Sequence, residues 1–276
     1  MELALIIALL LAVLVGVSLG LMGGGGSILT VPILTYVLGM APREAIAASL
    51  FIVGVTSIFG MISHARAGRV RWKMGFIFGV AGMGGAFAGG IAGGYIPGAV
   101  LMVLFALMMV ATAVAMIRGR RTLAAPPDGD PDGQSAGAQR GELPLIRIVI
   151  DGFVVGLATG LIGAGGGFLI VPALNLLGGV PMAAAVATSL LVIVMKSFAG
   201  LAGYLFSVQL DWPVVLAFTG MAIAGSFIGV RLAGIVPERA LRKGFGWFVL
   251  AMGAFVFVQE VPAVLGSLTT FIQNGA

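Results

Sequence analysis

The chain has 276 residues, of which 60% are hydrophobic and 9% are charged, with a mean hydropathy of +1.16. Soluble domains average about half apolar and a quarter charged residues, so this composition excludes an ordinary soluble fold. The net charge of +5 fits basic loops on the cytoplasmic side of a membrane better than nucleic-acid binding. The absence of cysteine and the single histidine, His64, exclude thiol chemistry and multi-histidine metal sites, and we expect no cofactor.

Ten apolar segments follow one another along the chain, and most of them have the roughly 20 residues that a helix needs to cross the hydrocarbon core. The first stretch lacks a basic start, so we interpret it as a retained span and not as a cleaved signal peptide. The segments are continuous and do not alternate with a period of two, which predicts an all-α polytopic membrane protein. They cover 3–22, 28–39, 43–64, 73–94 and 98–118, then 144–162, 168–179, 183–205, 212–234 and 238–258.

Four parts follow from this pattern. A first transmembrane repeat covers 1–118, and a polar, Pro/Gly-rich cytoplasmic linker that we expect to be disordered covers 119–143. A second transmembrane repeat covers 144–259, and a C-terminal tail covers 260–276.

The two transmembrane parts are copies of one unit. A constant shift of 140 residues aligns them without a gap over about a hundred positions. A bias toward glycine and alanine would not align proline, serine and tryptophan in one register, so the halves are internal repeats. The aligned pairs include Gly16/Gly156, Pro32/Pro172, Ser57/Ser197, Trp72/Trp212 and Gly85/Gly225.

The charges of the loops predict the orientation of each half. Arg66, Arg69, Arg71 and Lys73 lie in one loop, which the positive-inside rule places in the cytoplasm. The matching loop of the second half, 207–211, has no basic residue and is expected outside. Matching loops on opposite faces are typical of the inverted-topology repeats of secondary transporters. We therefore expect a multi-pass protein of the plasma membrane with both termini outside.

A glycine cluster precedes the short second segment of each half. That segment has about 12 residues, too few to span, so each half is predicted to hold a glycine-broken or re-entrant helix pair and three full transmembrane helices. A helix that starts after such a cluster presents unpaired N–H groups and a positive dipole end, which favours an anion. Close helix packing is the alternative, and we prefer it for later glycines such as Gly85 and Gly89. The candidate ligands here are Gly24, Gly25, Gly26 and Ser27, with Gly165, Gly166 and Gly167.

Lys196 is the most informative single residue, because it lies near the middle of the segment 183–205. A lysine at such a position is costly, about 2.5–3.5 kcal/mol on insertion scales, and usually faces a cavity. We interpret it as the cationic partner of an anionic substrate, with a structural contact as the alternative. Hydroxyl and amide side chains on the same or neighbouring segments are further candidates, namely Ser49, Ser57, Thr188, Ser189, Ser197 and Asn175.

The chain resembles the TauE/SafE family of membrane transporters over nearly its whole length outside the linker. The resemblance rests on Gly-Leu-Met-Gly-Gly-Gly-Gly-Ser (20–27) with Val-Pro-Ile-Leu (31–34), and on Gly-Leu-Ile-Gly-Ala-Gly-Gly-Gly (160–167) with Val-Pro-Ala-Leu (171–174). It implies a plasma-membrane permease for anions that contain sulfur. The lead hypothesis is a secondary exporter of sulfite, sulfoacetate or a related organosulfonate that works by alternating access.

Other functions stay open at this point. One is an uptake permease for another small anion or an amino acid. A second is an intramembrane enzyme that pairs Ser27 with His64, and a third is a membrane scaffold. The expected partners are the small anionic substrate and the lipid bilayer, without nucleic acid, and a homo-oligomer stays open.

Overall fold

The computed structural model describes residues 2–22, 27–66, 68–118, 145–163, 170, 182–232, 246–260 and 262. The predicted linker, most of the tail and the segment 168–179 apart from Ile170 lie outside these residues. The described helices are α1 Glu2–Met22, α2 Ser27–Pro32, α3 Pro42–Arg66, α4 Trp72–Tyr95, α5 Gly98–Arg118, α6 Leu145–Ile162, α7 Met182–Tyr204, α8 Trp212–Leu232 and α9 Gly246–Glu260.

Five of the described helices, α1, α3, α4, α7 and α8, are long and apolar enough to cross a membrane. Their outer faces expose large apolar side chains, among them Leu10, Val80 and Leu216. Such apolar surface would promote aggregation in water, whereas in a bilayer it contacts the acyl chains. The prediction of an all-α polytopic membrane protein is confirmed.

The short helix after the first glycine cluster does not continue as a regular α-helix. Pro32 lies inside it and lacks the N–H that the helical ladder needs, and the chain widens into a π-helical turn over Ile33–Val37. This turn is closed by the Leu38 N–H, which donates to the Ile33 carbonyl at 3.3 Å. Gly39 then adopts a φ of 71° and ends the element, so the helix stays too short to span.

Helix α1 packs in parallel against α8, backbone against backbone. A side chain on either of two α1 glycines would collide with α8 carbonyls, and the reverse holds for two glycines of α8. Only residues without a Cβ allow this approach, which replaces the hydrophobic driving force that lipid does not supply. The contacts join Gly16 to Ala222, Gly20 to Ser226, Gly225 to Val13 and Gly229 to Val17.

Helix α6 packs against α4 in the same way. A shift of 140 residues converts each α1–α8 contact into an α6–α4 contact, with the halves exchanged. The first helix of each half therefore packs on the fourth helix of the other half, and these two interfaces join the halves. The equivalent contacts join Gly156 to Gly82, Gly160 to Ala86, Gly85 to Phe153 and Gly89 to Leu157.

We expect Gly85→Ala to destabilise the protein, because the new methyl group would overlap the Phe153 carbonyl oxygen and force α4 away from α6. Overpacking of this kind costs about 1–3 kcal/mol. Tryptophan-fluorescence melting of the detergent-purified protein should show a lower Tm.

The control is Gly220→Ala in α8, where nothing lies within 4 Å of the added carbon. Alanine is the better helix former, so the Tm of this variant should stay or rise slightly. Equal melting of the two variants would show that the glycine interface does not hold α4 to α6.

Candidate functional site

Helices α3 and α7 are repeat mates that pack antiparallel in the core. A methyl group placed on Gly54 would lie 3.2 Å from Ser197 Cβ, and one placed on Gly60 would lie 3.5 Å from a Leu190 methyl. Residue numbers rise along α3 as they fall along α7, and the two helices cross near Thr56 and Lys196. These two residues are equivalent under the 140-residue shift, so equivalent positions of the two halves meet at the crossing.

Lys196 is 1% exposed, and its side chain leaves α7 toward the α4–α6 pair. Its stem runs over Gly82, where an added methyl group would lie 2.6 Å from Lys196 Cδ. The Nζ atom donates to Thr159 Oγ1 at 3.1 Å. Thr159 is therefore an acceptor for the ammonium while its own proton points back to the Val155 or Gly156 carbonyl.

Thr159 was missed in the sequence analysis, although a signal for it exists. Its repeat mate is Leu19, just as the mate of Lys196 is the uncharged Thr56. Two positions where a polar residue in the second half replaces a less polar one in the first half thus meet in space. A comparison of the mismatched repeat pairs, and not only of the identical ones, would have found this contact.

Three hydroxyls beside the crossing have no hydrogen-bond partner among the described residues, namely those of Thr56, Ser57 and Ser197. Each of them is at most 1% exposed. Elsewhere in the spans, Thr112 and Thr219 donate to the carbonyl four residues back, as such side chains usually do. A buried hydroxyl without a partner costs about 1–3 kcal/mol, so these three groups are suited to a polar ligand.

Other predicted hydroxyls are already engaged. Ser49 Oγ lies 2.7 Å from the carbonyl oxygens of both Ile46 and Gly163. Thr188 Oγ1 accepts the Arg71 backbone N–H at 3.0 Å, next to the basic loop and about two turns from Lys196. Ser189 donates to the Val186 carbonyl at 2.8 Å. Ser197 thus lies on the face of α7 that meets Gly54 of α3, whereas Lys196 points toward α4 and α6. Ser49 and Thr188 make contacts with other parts of the chain.

The remaining predicted ligands belong to the glycine clusters and the segment after the second one. Ser27 is fully buried at the start of α2, directly after the first cluster. The other predicted residues lie outside the described part of the chain, namely Gly24, Gly25, Gly26, Gly165, Gly166, Gly167 and Asn175.

The crossing holds a lysine and no acidic side chain among the residues that the structure describes with side chains. Among the acidic residues that the structure describes with side chains, Glu44, Asp211 and Glu260 lie at helix ends and Asp151 lies in the first half of α6. None of them forms an ion pair with Lys196 in the described structure. A serine–histidine pair is likewise not formed, because neither ring nitrogen of His64 has a hydrogen-bond partner among the described residues.

Several known proteins are similar in sequence to this chain. Residues 8–256 match the family model described as "Sulfite exporter TauE/SafE". A "Probable membrane transporter protein" of Xylella fastidiosa is 35% identical over 246 residues, covering 88% of this chain and 91% of the relative. A "Probable membrane transporter protein MJ0441" of Methanocaldococcus jannaschii is 26% identical over 277 residues, covering 94% of this chain and 98% of the relative.

One more relative is much longer than this chain. The "Probable membrane transporter protein MamO" of Magnetospirillum gryphiswaldense is 29% identical over 266 residues, which cover 84% of this chain but 42% of that protein. No solved structure matches the chain significantly. The family match spans the glycine interfaces and the α3–α7 crossing alike, and relatives of similar length are similar in sequence, so the chain belongs to the sulfite exporter TauE/SafE family of membrane transporters.

Proposed function

We propose that this transporter exports a small anion, sulfite, sulfoacetate or a related organosulfonate, by alternating access. The observation that carries the proposal is Lys196, a buried lysine where α3 and α7 cross, with no carboxylate partner among the described residues. An ammonium has three N–H donors, and Thr159 accepts one of them in the described structure. A ligand that brings negative charge and acceptor oxygens would satisfy the others.

The unpartnered hydroxyls beside Lys196 support an oxyanion in particular. Ser57 and Ser197 each have a proton to donate, and both belong to helices that meet at the crossing. A sulfite or sulfonate group offers three oxygens and can accept from several donors at once. Charge-assisted hydrogen bonds of this kind are about twice as strong as neutral ones.

The antiparallel packing of α3 and α7 supports the inverted-topology part of the proposal. Repeat mates in an inverted repeat run in opposite directions, and α3 and α7 are antiparallel. The α1–α8 glycine contacts become the α6–α4 contacts when the two halves are exchanged, which also fits two similar halves related by a pseudo-two-fold axis. Two such halves can rock against each other about a central site, which is the motion that alternating access needs.

We extend the proposed site to the two glycine clusters on the grounds of helix-terminus chemistry, and to Asn175 because it is an amide side chain on the segment after the second cluster. The choice of sulfur anions comes from the family description. The relatives' names state membrane transport and no substrate. An uptake permease for another small anion or an amino acid is the second candidate, since a buried ammonium would also hold a carboxylate. The direction of flux under defined gradients separates the two.

We expect Lys196→Met to reduce anion flux about 10- to 100-fold, the effect of losing a hydrogen bond from a charged group. Methionine fills the space over Gly82 but brings no donor. Counterflow of radiolabelled sulfite, sulfate or sulfoacetate in proteoliposomes measures the change. Thr159→Val should weaken anion affinity to a smaller degree, because it removes the acceptor that orients Nζ.

The matched control is Lys73→Met, since Lys73 is exposed in the first turn of α4 beside the basic loop. Its flux should equal that of the wild type. Wild-type flux in Lys196→Met, with an unchanged Tm, would exclude Lys196 from the anion pathway.

We expect the repeat mates Arg69 and Gln209 to lie on opposite sides of the membrane. Both are exposed, and the chain has no native cysteine, so a single cysteine placed at either position is the only reactive thiol. A membrane-impermeant maleimide should label Gln209→Cys in intact cells and Arg69→Cys only after permeabilisation. Labelling of both from the same side would contradict an inverted repeat.

A further inference from the structure

Tyr204 ties the end of α7 to the end of α6. It is fully buried, and its hydroxyl donates to the Leu161 carbonyl at 2.6 Å. Leu161 lies in the last turn of α6, where carbonyls have no partner within the helix. Gly93 of α4 makes room for the phenol, because a methyl group there would overlap the hydroxyl.

A second set of contacts fixes Gly163, the residue that directly follows α6. Gly163 has a φ of 74°, which suits the end of a helix, and its N–H donates to the Thr159 carbonyl at 2.9 Å. The Gly163 carbonyl accepts from Ser49 of α3 at 2.7 Å. A side chain on Gly163 would strike Ile46, so α3 lies directly against this turn.

These contacts meet the candidate site at Thr159. The backbone carbonyl of Thr159 accepts the Gly163 N–H, and its hydroxyl accepts Lys196 Nζ. The last turn of α6 is therefore bound to α7 at two points, Tyr204 and Lys196, and to α3 at one. Any shift of this turn would change the distance from Thr159 to the ammonium.

The first half lacks this arrangement. Under the 140-residue shift Tyr204 corresponds to His64, Leu161 to Leu21 and Thr159 to Leu19. His64 is 8% exposed, and neither of its ring nitrogens has a hydrogen-bond partner among the described residues. An imidazole also reaches less far than a phenol. The scaffold contacts are repeated in both halves, whereas the tyrosine contact is present only in the second.

We infer that Tyr204 is a positioning residue: it fixes the last turn of α6 and so holds the Thr159 hydroxyl in place against Lys196. The inference rests on the proposed anion site, because only there does the position of Lys196 matter for affinity. The Tyr204 hydroxyl donates to the Leu161 carbonyl and is not one of the proposed anion ligands. Its loss should loosen α6 locally and weaken anion binding, and it should leave the translocation step nearly unchanged.

The test is Tyr204→Phe, which keeps the ring on Gly93 and removes the one hydrogen bond. Hydrogen–deuterium exchange should quicken about fivefold for amides near 159–163 and stay unchanged in α3, as expected for one lost hydrogen bond. In proteoliposomes the KM for sulfite should rise about three- to tenfold, with the maximal rate within about twofold of the wild type. The control is Tyr95→Phe, because Tyr95 is exposed at the end of α4 and should change neither quantity.

Two results would overturn the inference. Unchanged exchange at 159–163 in Tyr204→Phe would show that the hydroxyl does not hold α6. Faster exchange with an unchanged KM would show that it serves packing only. If the wild type carries none of the tested anions, the proposed function fails, and the exchange measurement still decides whether Tyr204 holds the helix. Should Tyr204→Phe misfold, Gly93→Ala displaces the same hydroxyl from the Leu161 carbonyl, with the same expected exchange and rise in KM.

Discussion

Backbone contact at glycines is the constraint on which this structure depends. Helices inside a bilayer gain nothing by hiding apolar side chains from lipid, so their association must come from close packing and polar contacts. In the α1–α8 and α6–α4 pairs, two glycines of each helix lie against backbone carbonyls of the partner helix. Two further helices take their positions from these pairs, since α7 packs on α4 and α3 packs on α7.

The buried polar groups are distributed unequally between the two halves. The glycines that join the helices occur in both halves, whereas Lys196, Thr159 and Tyr204 have no polar equivalent that makes the same contact in the first half. A buried ammonium and a buried phenol are expensive to place in a membrane core, and neither is needed to hold the glycine interfaces. The Lys196–Thr159 and Tyr204–Leu161 contacts thus belong to the second half, whereas the glycine scaffold is common to both.

Much of the architecture could be predicted from the sequence because it depends on length and composition. Apolar runs gave the spans, the short segment after the first glycine cluster gave α2, and the cost of burying a lysine singled out Lys196. The partners of these residues could not be predicted, because they depend on which helices of different halves touch. Thr159 and Tyr204 were therefore missed, and the contacts of Ser49 and Thr188 with other helices were not anticipated.

The exchange of partners between the halves also bears on how the protein is made and how it arose. Helix α1 leaves the ribosome about 200 residues before α8, the helix that covers its glycine face. The glycine face of α1 therefore stays exposed to lipid until α8 has been inserted. Neither half can close its own interface alone. An ancestral single copy would have met the same requirement only by pairing with a second molecule, and gene duplication would then have joined the two subunits in one polypeptide.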